Sequence, residues 1–386
     1  MFESLSEEAS AKIVVIGVGG GGGNAVNSMM LKNIEGVEFI VVNTDSQALN
    51  DSQVENKFQI GTQRTKGLGC GAVPLVGYES AMESRDEIKS HLEGADMLFI
   101  TAGMGGGTGT GASPVIAGIA KELGILTVGV VTKPFSFEGK KKAHAAEQGI
   151  LALKQSVDSI IIIENTKLLE AMPKTTSLLK AFEHVNEVLS DAVFSIAKII
   201  TSNGLVNVDF ADVSTVMRCT GRALMGAGEG DGENRAVEAT AMAIECPLLE
   251  DFDMRQAKGV LCTISHGTDF QIGELESVGQ EIHKLASDDA TVVIGTIFES
   301  EYEDRVVVTV IATGIDAKDE QEKIEKFVQN QSIGQVDSFG EGPLEHSDKK
   351  EVVGAESVDV SENIEVKVPH KSFISERPSF LLKKSC

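Results

Sequence analysis

Short runs of apolar residues recur along the first half of the chain, each long enough for a buried strand. They lie at residues 12–19, 39–42, 97–100, 126–131 and 159–163. Continuous apolar runs are typical of strands covered on both faces, as in parallel sheets. Between them, residues 113–123 and 143–153 carry helical periodicity. Strands that alternate with helices predict an α/β fold with a mostly parallel, Rossmann-like sheet.

The period of the apolar residues changes at Leu178. From there to Ile200, apolar side chains recur every three or four positions for more than six turns. This pattern predicts a helix over residues 178–203 that joins two domains and is buried between two layers, with Gly204 as its C′ glycine. Phe182 fits the apolar face of this helix, so the pattern alone places it in the core.

A second αβ region follows the long helix. Its clearest predicted strands lie at residues 259–265, 291–298 and 305–313. The composition then changes, because residues 317–366 contain 13 acidic and 5 basic side chains with only two aromatics. Such a stretch buries too little apolar surface to fold. We therefore expect a disordered acidic linker over residues 317–370, apart from a helix near 319–330.

The last sixteen residues, 371–386, reverse the sign of the charge. They carry four basic side chains against one acidic one, together with apolar residues such as Phe380 and Leu381. An acidic tether that ends in a short basic and apolar peptide is typical of a docking motif. The alternative is a frayed terminus without a function.

Composition narrows the class of protein. The 386 residues carry 34 Lys and Arg against 58 Asp and Glu, and the formal net charge of −24 argues against a dedicated nucleic-acid binder. Apolar residues make up 42%, which is enough for a sizeable core. No apolar stretch approaches the ~18 residues of a membrane span, and the acidic start does not resemble a signal peptide. The five widely spaced Cys favour neither a zinc site nor disulfides, so we expect a soluble cytoplasmic protein.

Two glycine-rich loops each follow a predicted strand. Residues 17–24 read Gly-Val-Gly-Gly-Gly-Gly-Gly-Asn before a helix expected near Ala25, and residues 103–111 read Gly-Met-Gly-Gly-Gly-Thr-Gly-Thr-Gly before a helix expected near Ala112. Residues without a Cβ let the backbone approach a phosphate, and a helix N-terminus supplies N–H groups. Two such loops at the carboxyl edge of one sheet predict a nucleotide site. The P-loop pattern is absent from the sequence, which excludes a P-loop NTPase.

The first glycine loop by itself would favour a different enzyme. Together with Asp45, which ends the second predicted strand, it fits a dinucleotide site in which the acid holds a ribose hydroxyl. Asp45 could instead cap a turn. An NAD-dependent oxidoreductase therefore stays an alternative, although it leaves the second glycine loop without a role.

The second glycine loop carries a specific resemblance. Residues 103–111 resemble the signature loop of the tubulin/FtsZ family, Gly-Gly-Gly-Thr-Gly-Thr/Ser-Gly. The bacterial cell-division branch of that family, FtsZ, is matched further by Asn43-Thr44-Asp45, Thr132-Lys-Pro-Phe135, Phe137-Glu-Gly-Lys140 and Asn207-Val-Asp-Phe-Ala-Asp212. The resemblance covers about residues 12–316 and returns near the end, at Arg377-Pro-Ser-Phe-Leu-Leu-Lys-Lys384.

The resemblance implies an organisation for the whole chain. The parts are a flexible N-terminus at 1–11, a GTP-binding domain at 12–177, a central helix at 178–203, a C-terminal activation domain at 204–316, the linker at 317–370 and an adaptor-binding peptide at 371–386. The cytoplasmic protein would assemble head to tail with itself at the mid-cell division ring. Membrane-tethered adaptors would bind the terminal peptide, and no nucleic acid is implied. A tubulin-like filament for plasmid partition is the alternative within the same fold.

The resemblance also implies a site for GTP or GDP, with Mg²⁺ bridging the β- and γ-phosphates. The residues that would surround the phosphates are Gly20, Gly21, Gly22, Gly23, Asn24, Gly105, Gly106, Gly107, Thr108, Gly109, Thr110 and Thr132. Glu138 and Lys142 would contact the ribose and the phosphates, and Lys142 stands where close relatives have Arg. Phe182 and Asn186 would stack on and hydrogen-bond the guanine, and Asn165 matches a further nucleotide contact.

Asp209 and Asp212 form a second candidate site, beyond the long helix. They either cap a helix that begins near Asp212 or orient a water for attack on a γ-phosphate. The long helix would span about 30 Å, so one subunit cannot bring these acids to its own glycine loops. In the family that the chain resembles, the loop of one subunit completes the GTP site of the next, and such a head-to-tail contact generates a filament. The resemblance therefore implies a GTPase that is activated by self-assembly.

Overall fold

The structure, a computed structural model, describes residues 11–315 except 33, 35, 203, 220 and 250–253. The first ten residues, the acidic linker, the helix expected near 319–330 and the terminal peptide lie outside the described residues. Within the described part of the chain, no helix combines the length and apolarity that a membrane crossing requires.

The described residues form ten strands and twelve α-helices. The strands are β1 (Ile13–Val18), β2 (Val37–Asn43), β3 (Asn56–Gln59), β4 (Met97–Gly103), β5 (Leu126–Lys133), β6 (Ser159–Glu164), β7 (Gly221–Asp231), β8 (Gly259–His266), β9 (Thr291–Phe298) and β10 (Arg305–Ile315). The helices are α1 (Gly19–Met30), α2 (Ser46–Asp51), α3 (Thr62–Thr65), α4 (Pro74–Glu83), α5 (Arg85–Leu92), α6 (Thr108–Glu122), α7 (Lys140–Lys154), α8 (Asn165–Ala171), α9 (Leu178–Thr201), α10 (Phe210–Met217), α11 (Arg235–Ile244) and α12 (Ile272–Leu285).

All ten strands belong to one sheet, in the order β3-β2-β1-β4-β5-β6-β7-β10-β8-β9. Neighbouring strands from β3 to β7 are parallel, β8 and β9 are parallel, and only β10 runs antiparallel to its neighbours. The predicted α/β fold with a mostly parallel sheet is therefore confirmed. Only three residue pairs, beginning with Ser159 and Gly221, join β6 to β7. A division into two domains at 12–177 and 204–316 stays a prediction.

The long helix α9 lies where the sequence pattern predicts it, within two residues at its C-terminus. Its face formed by Val185, Leu189, Val193 and Ile196 is buried in a core shared with strands from both halves of the sheet. Its first turns differ from the expectation, because Leu178, Leu179 and Phe182 are exposed. The helix therefore has the predicted apolar periodicity, but these apolar side chains of its first turns lie outside the packed core.

The role expected of Gly204 is wrong. The helix ends at Thr201, and Ser202 serves as its C-cap in an extended conformation. Gly204 does not have the positive φ of a C′ glycine; instead, a Cβ at this position would overlap the backbone oxygen of Thr296 on β9. Gly204 is therefore required by a close approach between two backbones.

Local sequence patterns did not predict several elements. These are β3, α2, α3, α4, α5, α8, β7, α10 in its actual position, α11 and α12. Strand β7 illustrates the reason, because its sequence Gly-Arg-Ala-Leu-Met-Gly-Ala-Gly-Glu-Gly-Asp carries four glycines and no apolar run. Three of those glycines let α11 lie against the strand: a Cβ at Gly226 would overlap the backbone of Ala243, and one at Gly230 would overlap that of Arg235.

A buried cation fixes the packing of α11 against α12. The side chain of Arg235 is only 5% exposed, donates Nε–H to Glu274 Oε1 at 2.8 Å and forms an ion pair with Asp269. The bond from Arg235 lowers the pKa of Asp269. Burial opposes the ionisation of Glu274, but bonds from Arg235 and from the Gln271 N–H outweigh it and lower the pKa of that carboxyl too. The cluster is therefore fully charged at neutral pH.

We expect Arg235→Met to lower the free energy of unfolding by about 3 kcal/mol at pH 7, because it leaves two carboxylates without their buried cation. Both carboxyl pKa values are lowered in the folded state, so this stabilisation is complete above about pH 4 and is lost as the pH falls through them. The difference between the two proteins in urea unfolding should therefore shrink in acid. Arg64→Met, at an exposed pair with Glu79, is the matched control and should change little.

Candidate functional site

The first glycine loop begins a helix directly. Helix α1 starts at Gly19, six residues before the expected start near Ala25, so most of the glycine run is helical. Val18, the last residue of β1, pairs with Val42 of β2 and Ala102 of β4, which places this helix start at the carboxyl edge of the sheet. The helix has no side-chain cap and no acidic residue in its first turn. Its first N–H groups therefore point at the cleft without a protein side chain to satisfy them.

The second glycine loop has the same construction on the neighbouring strand. Helix α6 starts at Thr108, not near Ala112, and likewise has neither a side-chain cap nor an acidic residue in its first turn. The loop is closed internally, because the Gly105 N–H donates to Thr110 Oγ1 at 2.8 Å and the Met104 N–H donates to the backbone oxygen of Thr132 at 3.0 Å. Two helix N-termini with their positive dipole ends therefore meet at one edge of the sheet.

The two loops pack against each other backbone on backbone. A Cβ at Gly21 would lie 3.2 Å from the Cα of Gly103, and one at Gly19 would lie 3.1 Å from the backbone nitrogen of Gly109. A Cβ at Gly22 would overlap the backbone oxygen of Thr101 on β4. Side chains at these positions would force the loops apart, so the glycines are required for the contact between them.

Two glycines of the loops face open space. A Cβ built on Gly20 or on Gly106 would have no neighbour within 4 Å, and neither residue has a positive φ. Local packing and local conformation therefore do not explain glycine at these two positions. Two uncapped helix ends with bare backbone beside an open space are the features of an anion cradle.

A group of small polar side chains packs against the second loop. The hydroxyl of buried Thr108 lies 2.7 Å from that of Thr44, and the thiol of Cys70 lies 3.2 Å from Thr44 Oγ1 and 3.4 Å from Thr108 Oγ1. No local sequence pattern marks Cys70 as part of the site. Its position becomes visible only when the segment before α4 folds under the loop, where the Cβ of Cys70 fills the space beside Gly107.

An aromatic corner lies at the start of α9. Phe182 is 41% exposed, so the prediction from the pattern alone that it lies in the core is wrong. Buried Phe135, which follows β5, contacts it edge to face with ring centroids 5.1 Å apart. Asn186 lies one turn further along the same face of α9 and is half-buried. An exposed ring with an amide beside it can stack on a base and hydrogen-bond its edge.

Asn165 provides an unsatisfied polar group close to the carboxyl end of β6. It is the first residue of α8 and 5% exposed, yet its Oδ1 has no hydrogen-bond partner among the described residues. Its neighbour Glu164 is held ionised: burial opposes this, but Lys133 and Arg222 outweigh burial and lower the pKa of Glu164. A buried amide oxygen without a donor is typical of a site that binds a ligand.

Glu138 and Lys142 are brought together beside the second loop. Glu138 accepts from the Phe135 N–H at 2.9 Å through one carboxylate oxygen and from Lys142 Nζ at 2.9 Å through the other. The backbone oxygen of Lys142 would lie 2.8 Å from a Cβ at Gly105, whose φ of +103° also requires glycine. The N-terminus of α7 therefore packs directly on the loop and presents a basic side chain near it.

Asp45 has a structural role. It is the N-cap of α2 and accepts from the N–H groups of Gln47 at 2.9 Å and Ala48 at 3.3 Å. Of the two interpretations left open by the sequence, the structure therefore favours the cap. The carboxylate that a dinucleotide site would use to bind a ribose hydroxyl is thus already bonded to backbone N–H groups of α2.

Asp209 and Asp212 lie together at the start of α10. The helix begins at Phe210, and Asp209 is its N-cap, accepting from the Asp212 N–H at 2.8 Å. Both acids are exposed. The 24-residue helix α9 is about 36 Å long at 1.5 Å per residue, and the aromatic corner lies near its first turns whereas this pair lies beyond its last turn. The structure therefore does not bring the two acids to the glycine loops of the same chain.

Among the described residues, no group of three or more His, Cys, Asp or Glu is arranged to hold a metal ion. A magnesium ion in a nucleotide site takes most of its ligands from phosphates and water, and such a site needs no cage of side chains.

Comparison with known proteins gives a consistent result. Residues 12–173 match the GTPase-domain model of the tubulin/FtsZ family, and residues 221–316 match the C-terminal domain model of the FtsZ family. The cell division protein FtsZ of Wigglesworthia glossinidia brevipalpis is 50% identical over 384 residues, 99% of each chain. That of Pseudomonas aeruginosa is 53% identical over 331 residues, which are 86% of this chain and 84% of the relative. The structure of an empty FtsZ dimer from M. jannaschii superimposes with a TM-score of 0.77 at 40% identity and covers 81% of this chain and 90% of that one.

We expect Gly20→Asp to weaken GTP binding by at least a hundredfold and to leave the fold intact. The new carboxylate would project into open space beside the uncapped start of α1, where it repels a phosphate but meets no protein atom. Gly273→Asp is the matched control, because Gly273 is also the second residue of a helix and also faces open space, at the start of α12. Titration calorimetry with GTP should separate the two variants; equal affinities would contradict the assignment of the cradle.

Proposed function

The chain belongs to the tubulin/FtsZ family and is a cell-division GTPase that binds guanine nucleotide and self-assembles, and we propose that its hydrolytic site is completed between two subunits. The observation that carries this proposal is the separation of the two candidate sites by the full length of α9. The NAD-dependent oxidoreductase and the plasmid-partition filament are not favoured, since the relatives that match most of the chain are cell division proteins.

In this proposal the nucleotide lies across the carboxyl edge of the sheet. The phosphates lie against Gly20–Asn24 and Gly105–Thr110, where two uncapped helices offer N–H groups. Thr132 and Lys142 approach the same loop from β5 and α7. When bound, Mg²⁺ would neutralise charge between the β- and γ-phosphates. It would be held by phosphate oxygens and water, as its preference for octahedral, partly hydrated coordination favours.

The base would occupy the aromatic corner. Phe182 stacks on the guanine, supported from the side by Phe135, and Asn186 bonds to the edge of the base. The buried amide of Asn165 would gain its missing partner from a nucleotide hydroxyl or N–H group. Burial of that amide without a partner is otherwise unfavourable by about 1–3 kcal/mol, which supports placing the nucleotide there.

The acids at the start of α10 would act on the nucleotide of a neighbouring subunit. Asp209 is engaged as a helix cap, whereas the side chain of Asp212 makes no hydrogen bond or ion pair with the described residues and projects from the first turn. We therefore assign Asp212 as the residue that orients and polarises the attacking water, and Asp209 as the residue that fixes the loop with a second negative charge nearby. This arrangement needs three units. They are a GTP-binding domain at 12–177, a central helix at 178–203 and an activation domain at 204–316.

We expect Asp212→Ala to bind GTP and assemble like the parent protein but to hydrolyse GTP at least a hundredfold more slowly. Mixed with Gly20→Asp, which keeps its own Asp212, it should regain turnover, because the intact loop of one variant meets the intact GTP site of the other. Asp209→Asn is the matched control, since Asn retains the cap but removes the charge. Phosphate release measured across mixing ratios tests this; an absence of rescue at every ratio would refute a shared site.

The terminal residues 371–386 are proposed to bind membrane-tethered division proteins and so to hold filaments at the mid-cell ring. Support comes from the relative that matches 99% of the chain, and therefore includes this peptide, and from the change of charge between linker and peptide. Phe380 and Leu381 provide the apolar contacts of the proposed motif, and the flanking bases provide long-range attraction to acidic partners.

We expect Phe380→Asp to leave GTP hydrolysis and light scattering unchanged while abolishing recruitment of filaments to vesicles that carry a division adaptor. Phe327→Asp, at the other end of the tail, is the control and should leave recruitment intact. Sedimentation with adaptor-loaded vesicles measures the effect. Recruitment of Phe380→Asp at the level of the parent protein would contradict the assignment of this peptide.

A further inference from the structure

The segment that leads from α9 to Asp209 lies against the free edge of β9. Strand β9 is the last strand of the sheet and pairs on one side only, with β8. On its other side, Val206 of the connecting segment replaces a neighbouring strand. The exposed acids at the start of α10 are therefore carried by a short loop whose position depends on what holds it to this edge.

Thr296 holds this loop at two points. Its backbone N–H donates to the oxygen of Val206 at 3.2 Å, and its side-chain Oγ1 accepts from the N–H of Val206 at 3.1 Å. One residue of the edge strand thus satisfies both backbone polar groups of one loop residue. Thr296 is itself buried, although threonine hydroxyls in a strand more often face water.

Steric fit fixes the loop on either side of this contact. Gly204 lies so close to the backbone oxygen of Thr296 that a Cβ would overlap it, and a Cβ at Gly295 would lie within 2.6 Å of Val208. Val208 is buried in the main core immediately before Asp209. The far end of α10 is held separately, because the hydroxyl of Thr313 donates to the backbone oxygen of Val216 at 2.8 Å.

We propose that Thr296 is a positioning residue for GTP hydrolysis, which sets the place of Asp209 and Asp212 through its two bonds to Val206. This inference rests on the function proposed above, because it assumes that the start of α10 acts on the neighbour's nucleotide. Of the two bonds between Thr296 and Val206, a substitution can remove the one to the hydroxyl, since the other joins backbone atoms.

Thr296→Val tests the assignment. Valine keeps the shape and burial of threonine but puts a methyl group where Oγ1 accepts, so the Val206 N–H loses its partner and is pushed away from the strand. Small displacements of a reacting group reduce rates strongly, so turnover per assembled subunit should fall roughly tenfold. The affinity for GTP should stay unchanged, since the hydroxyl lies at the other end of α9 from the variant's own nucleotide site. Thr296→Ser, which keeps the hydroxyl, should restore turnover.

Two further comparisons separate positioning from a general loss of structure. Thr263→Val makes the same change at a buried threonine of β8 whose hydroxyl bonds to Thr309 and does not touch the loop, and it should keep full turnover. Mixing Thr296→Val with Gly20→Asp should restore phosphate release, because the defect lies in the loop that the variant lends to its neighbour. If Thr296→Val does not fold, Thr296→Ala removes the hydroxyl without adding bulk and takes its place.

The outcomes distinguish this inference from the function on which it rests. If Asp212→Ala hydrolyses GTP slowly and Thr296→Val also does so, with rescue by serine and by mixing, the positioning role is supported. If Asp212→Ala is slow but Thr296→Val turns over GTP like the parent protein, the positioning role is refuted and the shared site stands. If Asp212→Ala retains full turnover, the shared site itself is refuted, and the role of Thr296 is refuted with it.

Discussion

The contact between the two glycine loops is the constraint on which the rest of the site depends. The backbone of α1 at Gly19 and Gly21 lies against the backbone of the second loop at Gly103 and Gly109 at distances that leave no room for side chains. This contact brings two uncapped helix N-termini to one point of the sheet edge. Because neither helix has a side-chain cap, the N–H groups there can be satisfied only by water or by an anion. The anion cradle therefore exists because β1 with α1 and β4 with α6 can approach each other this closely.

The length of α9 is the reason for proposing that hydrolysis depends on assembly. The helix begins at the aromatic corner, crosses the core that both halves of the sheet share, and ends before the loop that carries Asp209 and Asp212. Within one chain, about 36 Å of helix separates the proposed nucleotide site from the acids at the start of α10. In the proposed assembly, a head-to-tail contact between copies would join one end to the other, and such a contact repeats without closing. Filament growth and hydrolysis would then depend on the same interface.

The sequence predicts the parts of the fold that depend on local pattern. Apolar runs identify five of the strands of the parallel half, because both faces of these strands are covered. The glycine loops are recognisable because a strand, a glycine run and a helix follow one another in sequence. Strand β7 is not recognisable, because three of its four glycines serve packing against α11 and the glycines disrupt the apolar pattern.

Positions that depend on distant parts of the chain are predicted less well. The apolar period of α9 includes Phe182, but only the assembled fold leaves this ring exposed beside Phe135. Gly204 follows a helix and so suggests a C′ glycine, whereas the structure requires it for the approach to Thr296, 92 positions along the chain. For the same reason Cys70 and Thr296 carry no local signal, since their partners are brought to them by tertiary packing.

Completion of the GTP site between two subunits is tested by the concentration dependence of GTP turnover. Phosphate release and light scattering are recorded on the same samples of the parent protein as its concentration is raised. If the site is completed between subunits, turnover per molecule is near zero at low concentration and rises at the same threshold as scattering. Turnover per molecule that is constant through that threshold would show that one subunit hydrolyses GTP alone, which would contradict the account.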